Sequence, residues 1–182
     1  MNPRPGPPMQ VTIPTLYTPR LVLVPPQAKH LDLYAALYGD HQVMEHIAAP
    51  LDRSAAGKLL AAHAGHWVLH GFGGWCVEEK ESGDIIGLAG LKRPEGSPCV
   101  EIGWILRPTT WGKGYATEAA SAALAFATGS VGARQVAAHI ARDNAGSVSV
   151  ARRLGMQLST ESADASTLVY LHVANPESGA GQ

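Results

Sequence analysis

Apolar and polar positions change rhythm several times along this chain, and each change marks a predicted element. Leu21-Val22-Leu23-Val24, held between Pro19 and Pro25, predicts a short strand within 18–25. From Gln27 to Tyr38 the residues Leu31, Tyr34 and Leu37 recur three apart, the spacing of one helix face. Asp52 can cap a second helix that runs to about His70, with Leu59, Leu60, Ala62, His63, His66 and Trp67 broadly on one side. A meander of three strands follows over 74–80, 84–93 and 99–107, separated by turn-forming Glu81-Ser82-Gly83-Asp84 and Pro94-Glu95-Gly96-Ser97-Pro98. Next comes a helix from Tyr115 to Thr128, stopping at Gly129, whose alanines at 119, 120, 122, 123, 125 and 127 permit close packing on a sheet. A strand at 134–141 follows it. Strand, helix and strand make a crossover unit, so the strands at 99–107 and 134–141 should be parallel. Asn144 to Leu154 reads as a short helix ending at Gly155, and strands near 156–160 and 167–173 close the sheet.

The fold expected is α/β: a mixed six- to seven-stranded sheet flanked by helices, in one domain over residues 16–174. A length of 182 residues with 46% apolar content supports one core and not two. Five of the 13 prolines fall within residues 1–15, which predicts an extended, poorly ordered arm, and 175–182 reads as a loose tail. A net charge of −1 supplies no basic field for nucleic acid. No apolar stretch is long enough to span a bilayer, so a cytoplasmic protein acting as a monomer or homodimer is expected. Cys76 and Cys99 read as reduced thiols in strands rather than a disulfide, with a catalytic cysteine the less favoured alternative.

Candidate chemistry centres on the run from Ile102 to Ala120. An apolar strand enters a loop holding Gly112 and Gly114, and a helix starts directly after it. Free amides and the positive end of a helix dipole, roughly half a charge, make such a start a phosphate site, and Lys113 adds a mobile cation. The spacing fits neither the Walker loop nor the dinucleotide fingerprint, which would need a third Gly or Ala where Thr117 stands. A rival signal lies in the second helix. His63, His66 and His70 form one stripe that could hold zinc in a hydrolase, or could simply line an amphipathic helix with no metal.

The run Trp111-Gly112-Lys113-Gly114-Tyr115-Ala116-Thr117-Glu118-Ala119 resembles the acetyl-CoA loop of the GNAT superfamily of N-acetyltransferases, in the branch that acetylates ribosomal-protein N-termini. Trp111 stands where the family usually has Arg or Gln. Further matches are the Thr18-x-Arg20-Leu21-x-Leu23 strand and Asn144-x-x-Ser147 followed by Arg153-Leu154-Gly155-Met156, with Met156 in place of Phe. The resemblance implies that the strands on either side of the loop and helix splay apart to receive the pantetheine arm of acetyl-CoA. It also implies cofactor contacts from Ile105, Leu106 and Arg107, a pyrophosphate held by Gly112, Lys113, Gly114, Tyr115, Ala116 and Thr117, and a bond from Asn144. Glu101 shares a strand face with Gly103 and Ile105. It is the candidate base, the alternative being a surface glutamate paired with a lysine. Relatives often carry a proton-donating Tyr seven residues after the Asn. Ala151 occupies that place here, which leaves Ser147 as the candidate acid, and the Ile105 amide as a candidate donor to the thioester carbonyl. The implied activity is direct acetyl transfer to a primary amine, either a protein N-terminus or a small molecule, with an acyl-CoA-binding module lacking turnover as the alternative.

Overall fold

Local signals place the helices. The Asp52 carboxylate accepts a hydrogen bond from the Ala55 amide at 2.7 Å and starts an 18-residue helix, α3 (Arg53–His70), which Gly71 ends in the left-handed conformation at φ 74°. Before it lie α1 (Leu31–Gly39) and a short α2 (His41–Met44), the latter capped by Asp40. After it come α4 (Tyr115–Gly129) and α5 (Ala145–Arg153). The computed structural model describes residues 11–159 and 165–174.

The strands are β1 (Leu16–Tyr17), β2 (Leu21–Val24), β3 (Gly74–Glu79), β4 (Ile85–Lys92), β5 (Val100–Leu106), β6 (Gln135–Ala141), β7 (Gln157–Leu158) and β8 (Thr167–Val173). They form one mixed sheet in the order β1-β2-β3-β4-β5-β6-β8-β7. This is the expected architecture with one strand more, because the two-residue β1 pairs with β2 at the edge. β5 and β6 are the parallel pair that the crossover reading requires.

The part of the N-terminal arm that is described is anchored. Ile13 packs against the core, and the Pro14 carbonyl accepts a hydrogen bond from the Trp75 indole at 2.7 Å. The expectation of a loose arm therefore fails for these residues, since Trp75 is fully buried and its N–H needs an acceptor. Residues 1–10, the tail at 175–182 and the end of the strand expected at 156–160 lie outside the described residues.

Each face of the sheet carries a core. On one, α4 lies across β4 and β5, and Ala119, Ala120, Ala123 and Ala127, all fully buried, let its backbone approach Val100, Ile102 and Leu106 closely. On the other, α1 and α3 pack Leu33, Tyr34, Leu37 and Leu60 over Cys76, Leu88 and Ile105. Because side chains alternate along β5, Ile102 and Leu106 enter the first core and Ile105 the second. Among the described residues no helix is long and apolar enough to cross a membrane.

The histidine stripe is built into this packing. His66 spends both ring nitrogens on backbone: Nδ1 lies 2.6 Å from the Phe72 carbonyl, and Nε2 accepts from the Arg93 amide at 3.0 Å. His63 Nδ1 lies 2.9 Å from the Tyr34 hydroxyl, and the His70 ring packs on those of His66 and Phe72. His63 and His66 thus serve the packing of this helix, the alternative to a metal role.

Burial pushes the His63 imidazole down to about 4. A base depressed in the folded state is neutral there and charged in the unfolded chain at lower pH, so its stabilisation holds above about 6.5 and is lost on acidification towards 4. We expect wild type to lose about 3 kcal/mol relative to His63→Gln across that window. Urea unfolding of both proteins at a series of pH values checks this, and parallel curves would refute it.

Candidate functional site

The sequence places its candidate phosphate site at the start of α4. Gly112 and Gly114 both take positive φ, 76° and 82°, so the chain turns there in a way a side chain would resist. Gly114 is the N-cap residue of α4, and the Glu118 amide returns to its carbonyl at 3.1 Å. The amides of residues 112–117 have no backbone acceptor among the described residues, and a Cβ placed on Gly112 would meet nothing within 4 Å. Open space in front of unspent donors is what a diphosphate needs.

A brace from the turn between β1 and β2 holds this turn. Glu118 accepts hydrogen bonds from the Thr18 hydroxyl at 2.6 Å, the Arg20 amide at 2.8 Å and Arg20 Nε at 2.6 Å. Arg20 in turn donates to the Lys113 carbonyl at 2.9 Å and lies over the Tyr115 ring, whose hydroxyl donates to Glu79. Trp111 accounts for the departure at the first position of the loop. Its indole N–H donates to the Leu106 carbonyl at 2.8 Å, tying the loop back to the strand end.

Next to the loop the sheet opens. β5 and β6 pair only through Val100 with Val136 and Glu101 with Ala137, after which β5 continues against β4 and β6 against β8. A wedge-shaped cleft results. It is walled by Ile102, Gly103 and Trp104 on β5, by 138–141 on β6, by Asn144 and Ser147 from α5, and by His46 and Ile47 after α2.

Backbone direction along β5 corrects one expectation. The Arg107 amide donates to Ile86 in β4 at 2.9 Å. Amides alternate sides along a strand, so the Ile105 amide also faces β4. The amides turned towards the open side belong to Trp104 and Leu106. The Ile105 amide, turned to β4, is no candidate oxyanion donor, whereas the Leu106 amide faces the open side; the side chains of Ile105, Leu106 and Arg107 are not among those walling the cleft.

Several sequence candidates do converge. The Asn144 side-chain carbonyl accepts from the Ser147 amide at 3.0 Å, the capping role read as its alternative, and Ser147 joins it on the cleft wall. Ala151 is fully buried, so the place of the usual tyrosine faces the core. Glu101 meets Lys92 Nζ at 3.0 Å and His139 Nε2 at 3.3 Å, with its carboxylate only 13% exposed. It does not line the cleft itself; His139 does. His139 and His46, the latter held 3.3 Å from Asp143, were missed by sequence reasoning. The cysteines stand apart: burial raises the Cys76 thiol to about 12, while Cys99 precedes β5 and donates to Gln135. Neither lines the cleft.

The family model described as an acetyltransferase (GNAT) domain matches residues 20–157. The chain belongs to the GNAT family. As a GNAT acetyltransferase it uses acetyl-CoA as co-substrate. It is similar to an acetyltransferase of Agrobacterium tumefaciens strain C58, at a TM-score of 0.82 and 26% identity, covering 93% of this chain and 100% of that one. A Bordetella pertussis protein assigned to the GNAT family aligns with a TM-score of 0.76 at 30% identity, covering 88% and 100%. The uncharacterised protein YkkB of Bacillus subtilis strain 168 is 29% identical over 129 residues, 70% of this chain and 75% of its own. The GNAT match spans β2 to β7, and so contains the glycine turn, the splayed pair and α5.

Proposed function

We propose that this GNAT acetyltransferase passes the acetyl group directly to a primary amine, and that its acceptor class is the α-amine of a peptide or protein N-terminus. The observation that carries this reading is the opening of β5 from β6 beside a glycine turn with unspent amides. Main-chain donors on the turn and on the β5 edge hold the cofactor, and the cleft leaves its other end to the acceptor. Acetyl-CoA supplies an acetyl group already activated as a thioester. The residues of the chain have only to orient it, admit a neutral amine and manage one proton at each end. An α-amine, with a pKa of about 8, is partly neutral at physiological pH and asks little of a base. Glu101 anchors the acid–base side of the cleft through His139, and Ser147 holds the proton for the departing sulfur. Asn144 keeps its side-chain amide for the cofactor while its carbonyl caps α5. A cytoplasmic setting, where acetyl-CoA is made, is part of the same reading.

The test is a thiol-release assay with acetyl-CoA and short peptides, each offered with a free and with a blocked N-terminus, beside polyamines and free lysine. Turnover of free N-termini alone supports the reading. Acetylation confined to side-chain or small amines would overturn the acceptor class, and wild type that binds acetyl-CoA but turns over no amine would favour the binding module. Ser147→Ala is expected to lower kcat about tenfold while acetyl-CoA affinity by calorimetry stays unchanged, because one hydroxyl proton donor is removed and no main-chain contact. Equal kcat would remove Ser147 from the mechanism.

A further inference from the structure

The geometry points to His139 as the catalytic residue that takes the proton from the attacking amine, with Glu101 as the positioning residue that holds its ring. This inference rests on the acetyl-transfer reading and assigns within it the base that the fold alone leaves unnamed.

Three observations lead to it. First, His139 forms part of the cleft wall, together with Ser147 and Asn144 on α5, whereas Glu101 does not. A base has to reach the proton it removes, either directly or through one water. Second, the Glu101 carboxylate lies between two cationic or proton-bearing groups: Lys92 Nζ at 3.0 Å from Oε2 and His139 Nε2 at 3.3 Å from Oε1. Both carboxylate oxygens are thus taken up by neighbouring side chains, which suits Glu101 to orienting an imidazole. Third, the register of the short parallel pair makes this arrangement. Glu101 is level with Ala137, and His139 is two residues on along the same face of β6, at the point where pairing ends. The side chain therefore stands where the strands part.

With Nε2 towards Glu101, the neutral ring carries its proton on Nε2 and keeps the Nδ1 lone pair. Nδ1 has no hydrogen-bond partner among the described residues, and the side chain is 40% exposed. At 3.3 Å the approach to Glu101 is loose, as contacts to catalytic groups often are before substrate arrives. The proton balance is simple. The amine nitrogen forms the C–N bond, the C–S bond breaks, His139 Nδ1 receives one proton from nitrogen, and the sulfur takes one from the Ser147 hydroxyl, which regains a proton from solvent. His139 then releases its proton to solvent. No oxidant or metal is required.

Two experiments test this. Nitrogen-15 histidine NMR of the ligand-free protein should show the Nε2–H tautomer for His139, with Nδ1 unprotonated, and Glu101→Gln should shift that resonance. An Nδ1–H ring, or a resonance indifferent to Glu101→Gln, would overturn the arrangement. Second, His139→Ala should lose about 10²-fold in kcat with the peptide acceptors above and keep its acetyl-CoA affinity by calorimetry. Free imidazole in the assay should restore part of the rate, with acetyl-peptide as product. A purely structural role would show no such rescue. If wild type is active and His139→Ala equals it, this proposal falls while acetyl transfer stands. If wild type acetylates no amine, the parent reading falls, and the NMR result still judges the geometry.

Discussion

Gly114→Val is expected to raise the Kd for acetyl-CoA by about 10²- to 10³-fold. Gly114 caps α4 at φ 82°, where a β-branched residue is strained by about 1 to 3 kcal/mol. Its Cβ would also meet the Arg20 guanidinium at 3.4 Å. The Arg20 side chain can give way, but the backbone strain is relieved only by rotating the turn, and rotation swings the amides of Tyr115 and Ala116 away from the space in front of Gly112. Every 1.4 kcal/mol is tenfold in affinity, so strain and lost donors together reach that range. Gly129→Val, at the far end of α4 in open space and without positive φ, serves as the control and should leave affinity unchanged. Calorimetry on both variants, with thermal unfolding to confirm that each is folded, decides the matter. A Gly114→Val protein that binds like wild type would mean that the diphosphate sits elsewhere.

Glu118→Ala should cost about 3 kcal/mol of stability, and Tm should fall by about 6 to 12 °C. The carboxylate accepts three hydrogen bonds and is 14% exposed. Burial alone would raise its pKa, but the bonds from Thr18 and Arg20 outweigh burial and hold it below the ordinary glutamate value. Removing it leaves the Arg20 amide without its acceptor and takes one bond each from the Thr18 hydroxyl and the Arg20 guanidinium, which keep Leu21 and the Lys113 carbonyl. The exposed half of Arg20 moderates the loss. Because the folded pKa is depressed, this stabilisation is present at neutral pH and disappears on acidification through the folded value. Urea unfolding of wild type and variant at neutral and acid pH should therefore converge as pH falls. The variant should also bind acetyl-CoA more weakly, since Arg20 no longer steadies the Lys113 carbonyl.

Reading the sequence recovered what short-range chemistry dictates. Asp52 before a helix, Gly155 after one, the alanine run of α4 and the strand-helix-strand order all carry their own signal, and each of these elements lies within a few residues of its expected place. Gly112, Gly114, Asn144 and Ser147 were legible for the same reason, as they belong to contiguous motifs. Register and strand direction were not. The side of β5 on which the Ile105 amide lies depends on pairing with β4, so no local pattern shows that it faces away from the cleft. His139 escaped because its importance comes from lying two residues beyond the Ala137–Glu101 pairing, a relation between strands more than 30 positions apart. His46 reaches the cleft only because the unforeseen α2 turns the chain towards Asp143. The histidine stripe, by contrast, has a vivid local pattern and no role in the cleft, since packing against Tyr34 and Phe72 consumes it.

The central claim is that a diphosphate rests on the turn before α4 and the attached arm enters the gap between β5 and β6. Titrating acetyl-CoA into nitrogen-15-labelled protein and following the backbone amides tests it most directly. The account predicts saturable shifts concentrated at residues 112–117, at Trp104 and Leu106 and at the start of α5, with the amides of β1, β2 and β8 still. Shifts confined to α3 and its histidines, or none at millimolar acetyl-CoA, would contradict it.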